Sequence, residues 1–174
     1  MKRVLCIVAV LMLAAVAFAG ASPMTPQQAM QATMNCPVCS AWTPDVSKNI
    51  RYDIFTTKNG YVESFSNADE TTADAFNKCA AECERRAGTI PTMSAADKAK
   101  LCPMCQARMT LMGSKDVTME TFKTHDGMIT VGTTKSAAGM KAAQDYATAM
   151  KAQSDLLEAA AKEMGKPGEM KSKM

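Results

Sequence analysis

The chain has 174 residues, 47% of them hydrophobic, with 20 basic against 17 acidic side chains and a formal net charge of +3. Such a small surplus argues against a basic nucleic-acid-binding surface, and the length allows one compact body or two small ones. Seven cysteines and 16 methionines make sulfur the most prominent chemistry of the chain.

Lys2 and Arg3 precede an apolar run from Val4 to Phe18, and Ala17-Phe18-Ala19 before Gly20 has the small-x-small form of a signal peptidase site. The run is too short for a comfortable bilayer span, and Cys6 lies inside it, away from any cleavage point, so no stable membrane anchor is expected in the mature chain. Residues 1–19 are therefore read as a signal peptide and the product as exported, periplasmic or secreted. Cleavage removes Lys2, Arg3 and Cys6, leaving near-neutral charge and an even cysteine set suited to an oxidising space.

Thr25-Pro26-Gln27-Gln28 has the hydroxyl and the back-reaching side chain that start a helix. That helix should end before Cys36-Pro37-Val38-Cys39, since a residue preceding proline resists the helical region. Ile50, Tyr52 and Ile54 then alternate with Arg51 and Asp53, Asn59-Gly60 supplies the positive dihedrals of a turn, and Tyr61 to Phe65 returns. Asn67 with Glu70 has the spacing of a capping box for a helix carrying Phe76, Cys79, Ala80, Cys83 and Ala87 on one face, stopped by Gly88 and Pro91.

A second unit repeats the outline. Ser94 to Asp97 starts a short helix, and Cys102-Pro103-Met104-Cys105 follows. Val117, Met119 and Thr121 lead to Asp126-Gly127, the strand from Met128 to Val131 returns, and a long helix runs from after Ser136 to near Gly165. Phe55 then corresponds to Phe122, Gly60 to Gly127, Val62 to Ile129 and Ala75 to Ala142. The expected fold is α+β, with two tandem pseudo-symmetric units over residues 20–92 and 93–164 and a flexible tail over 165–174. Because a lone ribbon is marginal in water, either the hairpins join one sheet or each packs beneath its helix.

Cys-x-x-Cys brings two soft sulfurs close enough to hold one metal ion or to form a disulfide. Three readings compete for the six cysteines. Three disulfides would staple two small units. Cys36, Cys39, Cys79 and Cys83 would form a structural zinc set, a pattern that resembles the ligands of YHS and TRASH metal-binding modules. Copper(I), which prefers few soft ligands, would use Cys36, Cys39, Cys102 and Cys105, with Met104 a possible third donor and Cys79 and Cys83 a local zinc set or disulfide partners. The second unit has Tyr146 and Met150 where the first has Cys79 and Cys83, so a four-sulfur cluster in each unit is untenable. Spacing alone leaves open whether the units share one site.

Cys36-Pro37-Val38-Cys39, Trp42, Gly60, Phe65-Ser66 and Phe76, echoed by Cys102-Pro103-Met104-Cys105, Phe122, Asp126-Gly127 and Gly139-Met140, is similar to the NosL family of copper-binding proteins, accessory to nitrous oxide reductase. The resemblance spans most of the mature chain and implies two strand-strand-helix units, a soft metal and a metalloprotein recipient. The family usually continues its motif as Cys-Gly-Met; this chain has Ser40-Ala41 and Gln106-Ala107 after its motifs. A thiol-disulfide oxidoreductase is the enzyme alternative, opposed by the expectation that each Cys-x-x-Cys follows a short helix and precedes a loop, with no βαβ pattern. His125, the only histidine, sits beside a turn and is expected to be solvated; no catalytic role is expected of the chain.

Overall fold

The computed structural model describes residues 23–164. The expected signal peptide and the tail over 165–174, including Met170 and Met174, lie outside the described residues. No helix among the described residues is long and apolar enough to cross a membrane.

The helices are α1 (Pro26–Met34), α2 (Pro44–Ser47), α3 (Ala73–Ala87), α4 (Ala95–Lys98), α5 (Pro103–Gly113) and α6 (Ala137–Met164); the strands are β1 (Ile50–Thr57), β2 (Gly60–Asn67), β3 (Thr118–Lys123) and β4 (Gly127–Thr133). Both hairpins join one antiparallel sheet in the order β1-β2-β4-β3, so the chain is an α+β protein. The seam is the β2–β4 ladder, where Val62 faces Val131 and Ser64 faces Ile129. Each hairpin thus gives the other the third strand that a ribbon needs for stability.

Both hairpin glycines are required at this seam. Gly60 has φ +150°, and a Cβ there would lie 1.9 Å from the Gly132 carbonyl oxygen. At Gly127 a Cβ would lie 2.2 Å from the Phe65 carbonyl oxygen. Asn59 does not share a positive φ, since among the described residues Gly60 alone has one. The expected Asn-Gly turn is therefore corrected. Lys58 and Asn59 form the two-residue loop, and Gly60 already pairs with Thr57 in the ladder.

The start of α3 also differs from expectation. Asn67 is the last residue of β2, paired with Ile50, and its buried amide donates to the Asp69 carbonyl oxygen at 2.6 Å and to Thr72 Oγ1 at 2.9 Å. Asp69 caps a 3₁₀ turn over Glu70–Thr72, and α3 begins at Ala73. The intervening 3₁₀ turn thus separates Asn67 from the helix it was expected to cap. At α1 the expectation holds: Thr25 Oγ1 accepts from the Gln28 amide, and Gln28 Oε1 accepts from the Thr25 amide at 2.9 Å.

Three apolar groups hold the helices to the sheet. Ile54, Tyr61, Leu111, Ala143, Tyr146, Ala147 and Met150 form the largest, between β1, β2, α5 and α6. Val46, Phe76 and Ala80 form a second, capped by Trp42 and Phe65 at ring-centroid distances of 5.3 Å and 5.6 Å from Phe76. The third contains sulfur: Cys36, Val38, Ile90, Leu101, Cys102 and Cys105. Phe55 and Phe122 lie exposed on the sheet, opposite Val62 and Ile129.

Candidate metal centre

The first motif leaves α1 through the cap residue Asn35 and turns at once. The Ser40 amide donates to the Cys36 carbonyl at 2.9 Å, and Cys39–Ala41 forms one 3₁₀ turn that ends at Trp42. Arg86 on α3 fixes this loop from outside, donating to Ser40 Oγ at 2.9 Å and to the Pro37 carbonyl at 3.4 Å. The loop is thereby tied to both α1 and α3.

The second motif is built differently, which corrects the expectation that each Cys-x-x-Cys precedes a loop. Cys102 is the N-cap of the eleven-residue α5, and Pro103 is its first residue. Proline keeps Cys102 extended and is itself preset for a helix start, so it ends one segment and begins the next. Cys105 falls in the first turn, and the helix N-terminus favours thiolate character nearby. The Gln106 side-chain amide donates to the Leu101 carbonyl at 2.7 Å, tying down the approach to the helix.

These two frames bring four sulfurs to one point. Sγ of Cys36, Cys39, Cys102 and Cys105 all lie within 4.8 Å of one another. Cys36 to Cys105 is 3.7 Å, Cys39 to Cys102 is 3.5 Å and Cys39 to Cys105 is 3.4 Å. No pair is at bonding distance, and all six described cysteines are free. Zinc–sulfur bonds of about 2.3 Å in a tetrahedron place sulfurs about 3.8 Å apart, so the spacing suits one ion at the centre.

The electrostatics point the same way. Contacts with the neighbouring thiols, Cys102 first, hold Cys36 below the ordinary thiol range, and Cys105 chiefly does the same for Cys102. Cys39 and Cys105 are pushed up, each chiefly by Cys102. Four adjacent thiols cannot all ionise against one another. A bound cation would remove that conflict and make every sulfur a ligand.

The remaining sulfur residues take other places. Cys83 is half-buried and packs against the apolar group that contains Cys36, Cys102 and Cys105, as do Met104 and Met109. Met104 also packs against the largest core group. Cys79 packs against the group of Val46, Phe76 and Ala80. The set Cys36, Cys39, Cys79 and Cys83 is therefore not assembled; the partners of the first motif come from the second. Tyr146 and Met150, at the positions corresponding to Cys79 and Cys83, are buried core residues of α6.

A buried polar group lies beside the centre and was missed by the sequence reading. Glu63 is 6% exposed; Tyr52 Oη donates to its Oε1 at 3.1 Å and Tyr146 Oη to its Oε2 at 3.0 Å. Arg108, one turn beyond Cys105 on α5, approaches the same carboxylate at 4.0 Å. Burial first, and Glu63 second, push all three tyrosines upward, Tyr61 to about 12. The available signal was an acid among the inward positions of β2, between Tyr61 and Phe65.

No protein-family model, curated protein or solved structure matches the chain. What defines it is a mixed helix-and-sheet fold with a four-cysteine cluster able to hold a soft metal ion.

Proposed function

We propose that the protein is an exported, non-catalytic binder of one soft metal ion, held by the thiolates of Cys36, Cys39, Cys102 and Cys105. The observation that carries this reading is the convergence of all four Sγ atoms within 4.8 Å. Four equivalent thiolates favour a four-coordinate ion, so zinc takes first place. Such a set fills the coordination shell and leaves no position for substrate, consistent with holding the metal rather than using it in a reaction.

Copper(I) is the second reading. It is favoured by Met104 and Met109, which pack against the apolar group containing Cys36, Cys102 and Cys105, and by the resemblance to NosL proteins. On that reading the chain holds copper for transfer to a metalloprotein recipient.

The test is metal analysis of protein purified under reducing conditions and offered zinc or copper(I) separately. One retained ion per chain is expected, and Cys36→Ser or Cys105→Ser should lose it. With metal bound, Cys79 should stay reactive to a thiol reagent while the four ligands are protected. Protein that neither retains nor accepts metal, with its cysteines joined as disulfides, would overturn the proposal.

A further inference from the structure

Cys83 packs against the apolar group that contains Cys36, Cys102 and Cys105 without being one of the four clustered sulfurs. Cys36, Cys102 and Cys105 are buried, and Cys39 is the one member that is partly exposed. Cys83, also only partly exposed, lies on α3, the helix whose Arg86 holds Pro37 and Ser40 of the adjoining loop. The helix that carries this spare thiol is therefore tied to the turn that carries Cys39. Soft ions held by thiolates change ligands readily when another thiolate is positioned to attack, and the outgoing ligand must be one that solvent can reach.

We infer that Cys83 is the exchange thiol of this site, taking over one metal–sulfur bond from Cys39 as the ion enters or leaves. The inference rests on the metal-binding reading above. In the step, the bond between metal and Cys39 sulfur breaks as one to Cys83 sulfur forms. Cys83 releases its proton to water and Cys39 takes one up. The charge of the metal does not change, and no oxidant or reductant is needed. Cys79 lies one turn earlier but packs against the separate group of Val46, Phe76 and Ala80, so it serves as the internal control.

Two measurements on the full chain test this, using zinc as the probe. First, wild type, Cys83→Ser and Cys79→Ser are loaded, and transfer to excess chelator is followed in the range where its rate no longer depends on chelator concentration. Cys83→Ser should keep the full metal content yet release it roughly tenfold more slowly, a small change in barrier. Cys79→Ser should match wild type. Secondly, Cys39→Ser should still retain an ion, because Cys83 takes the vacant position, whereas Cys39→Ser with Cys83→Ser should retain none. Equal release rates, or retention by the double variant equal to that of Cys39→Ser, would overturn the exchange role while leaving the metal site intact. Loss of metal from Cys83→Ser with its circular dichroism unchanged would make Cys83 a permanent ligand and overturn it too. A wild-type chain that takes up no zinc would overturn both readings at once.

Discussion

Glu63 is the residue whose environment most constrains the chain. Removing its carboxylate leaves the buried Tyr146 hydroxyl, the part-buried Tyr52 hydroxyl and Arg108 without their acceptor, so Glu63→Ala should cost about 3 kcal/mol or more in chemical denaturation. Tyr146→Phe removes one of those donors and should cost about 1 kcal/mol. Tyr61→Phe should do the opposite and add about 1 kcal/mol, because the Tyr61 hydroxyl is buried and finds no partner among the described residues. Opposite signs from two tyrosines whose rings lie 5.0 Å apart would test the hydrogen-bond assignment; equal losses would sink it. The chain has three tyrosines, and all three are held protonated in the fold. Raised phenol values mean that the folded state keeps protons the unfolded state gives up. Their stabilisation is complete below an unfolded value of about 10 and is lost as pH rises beyond it. A spectrophotometric titration should show tyrosinate appearing above pH 10 together with unfolding; ionisation of any tyrosine at its ordinary pH would count against this packing.

At the scale of elements, local signals were legible wherever one short segment decides the outcome. The Thr25–Gln28 cap, the two hairpins and the stop of α3 at Gly88 are written in neighbouring residues. Asn67 misled because its role is set by Ile50, its partner across the hairpin. Cys102-Pro103 was half legible: proline announced a boundary, and the helix beginning there was missed because the preceding Ser94 to Asp97 signal had already claimed one. The glycines carry a second element-level test. Gly60→Ala places a methyl group against the β4 backbone at the seam of the sheet, so it should destabilise by about 3 kcal/mol or prevent folding, whereas Gly113→Ala meets no atom within 4 Å and should cost far less. Comparable losses from both would mean that β2 and β4 do not approach as described.

For the whole molecule, the cysteine convergence was the least legible feature. Each motif is complete as a pair, so nothing in its spacing reveals that its other two ligands lie on a distant segment. The sheet supplies that information by joining hairpins that follow the two motifs. An ion held by all four thiolates would close a ring from Cys39 to Cys102 containing β1, β2 and α3. If such a ring acts on the unfolded chain as a covalent link does, its closure corresponds to roughly 4 kcal/mol. Metal-loaded protein should therefore melt well above the reduced metal-free form, and Cys105→Ser should abolish the difference. A metal-insensitive melting temperature would show that the ion does not bridge the two segments.

Trp42 gives this arrangement an optical consequence. It is the only tryptophan in the chain; its ring packs edge-on to Phe65 at 5.0 Å, and its indole N–H moderates the upward effect of burial on the Cys83 thiol. A single emitter thus stands where the aromatic core meets the sulfur group. Events at the sulfurs should alter its emission, while changes on the distant half of α6 should leave it dark to them, making intrinsic fluorescence a label-free record of one neighbourhood only.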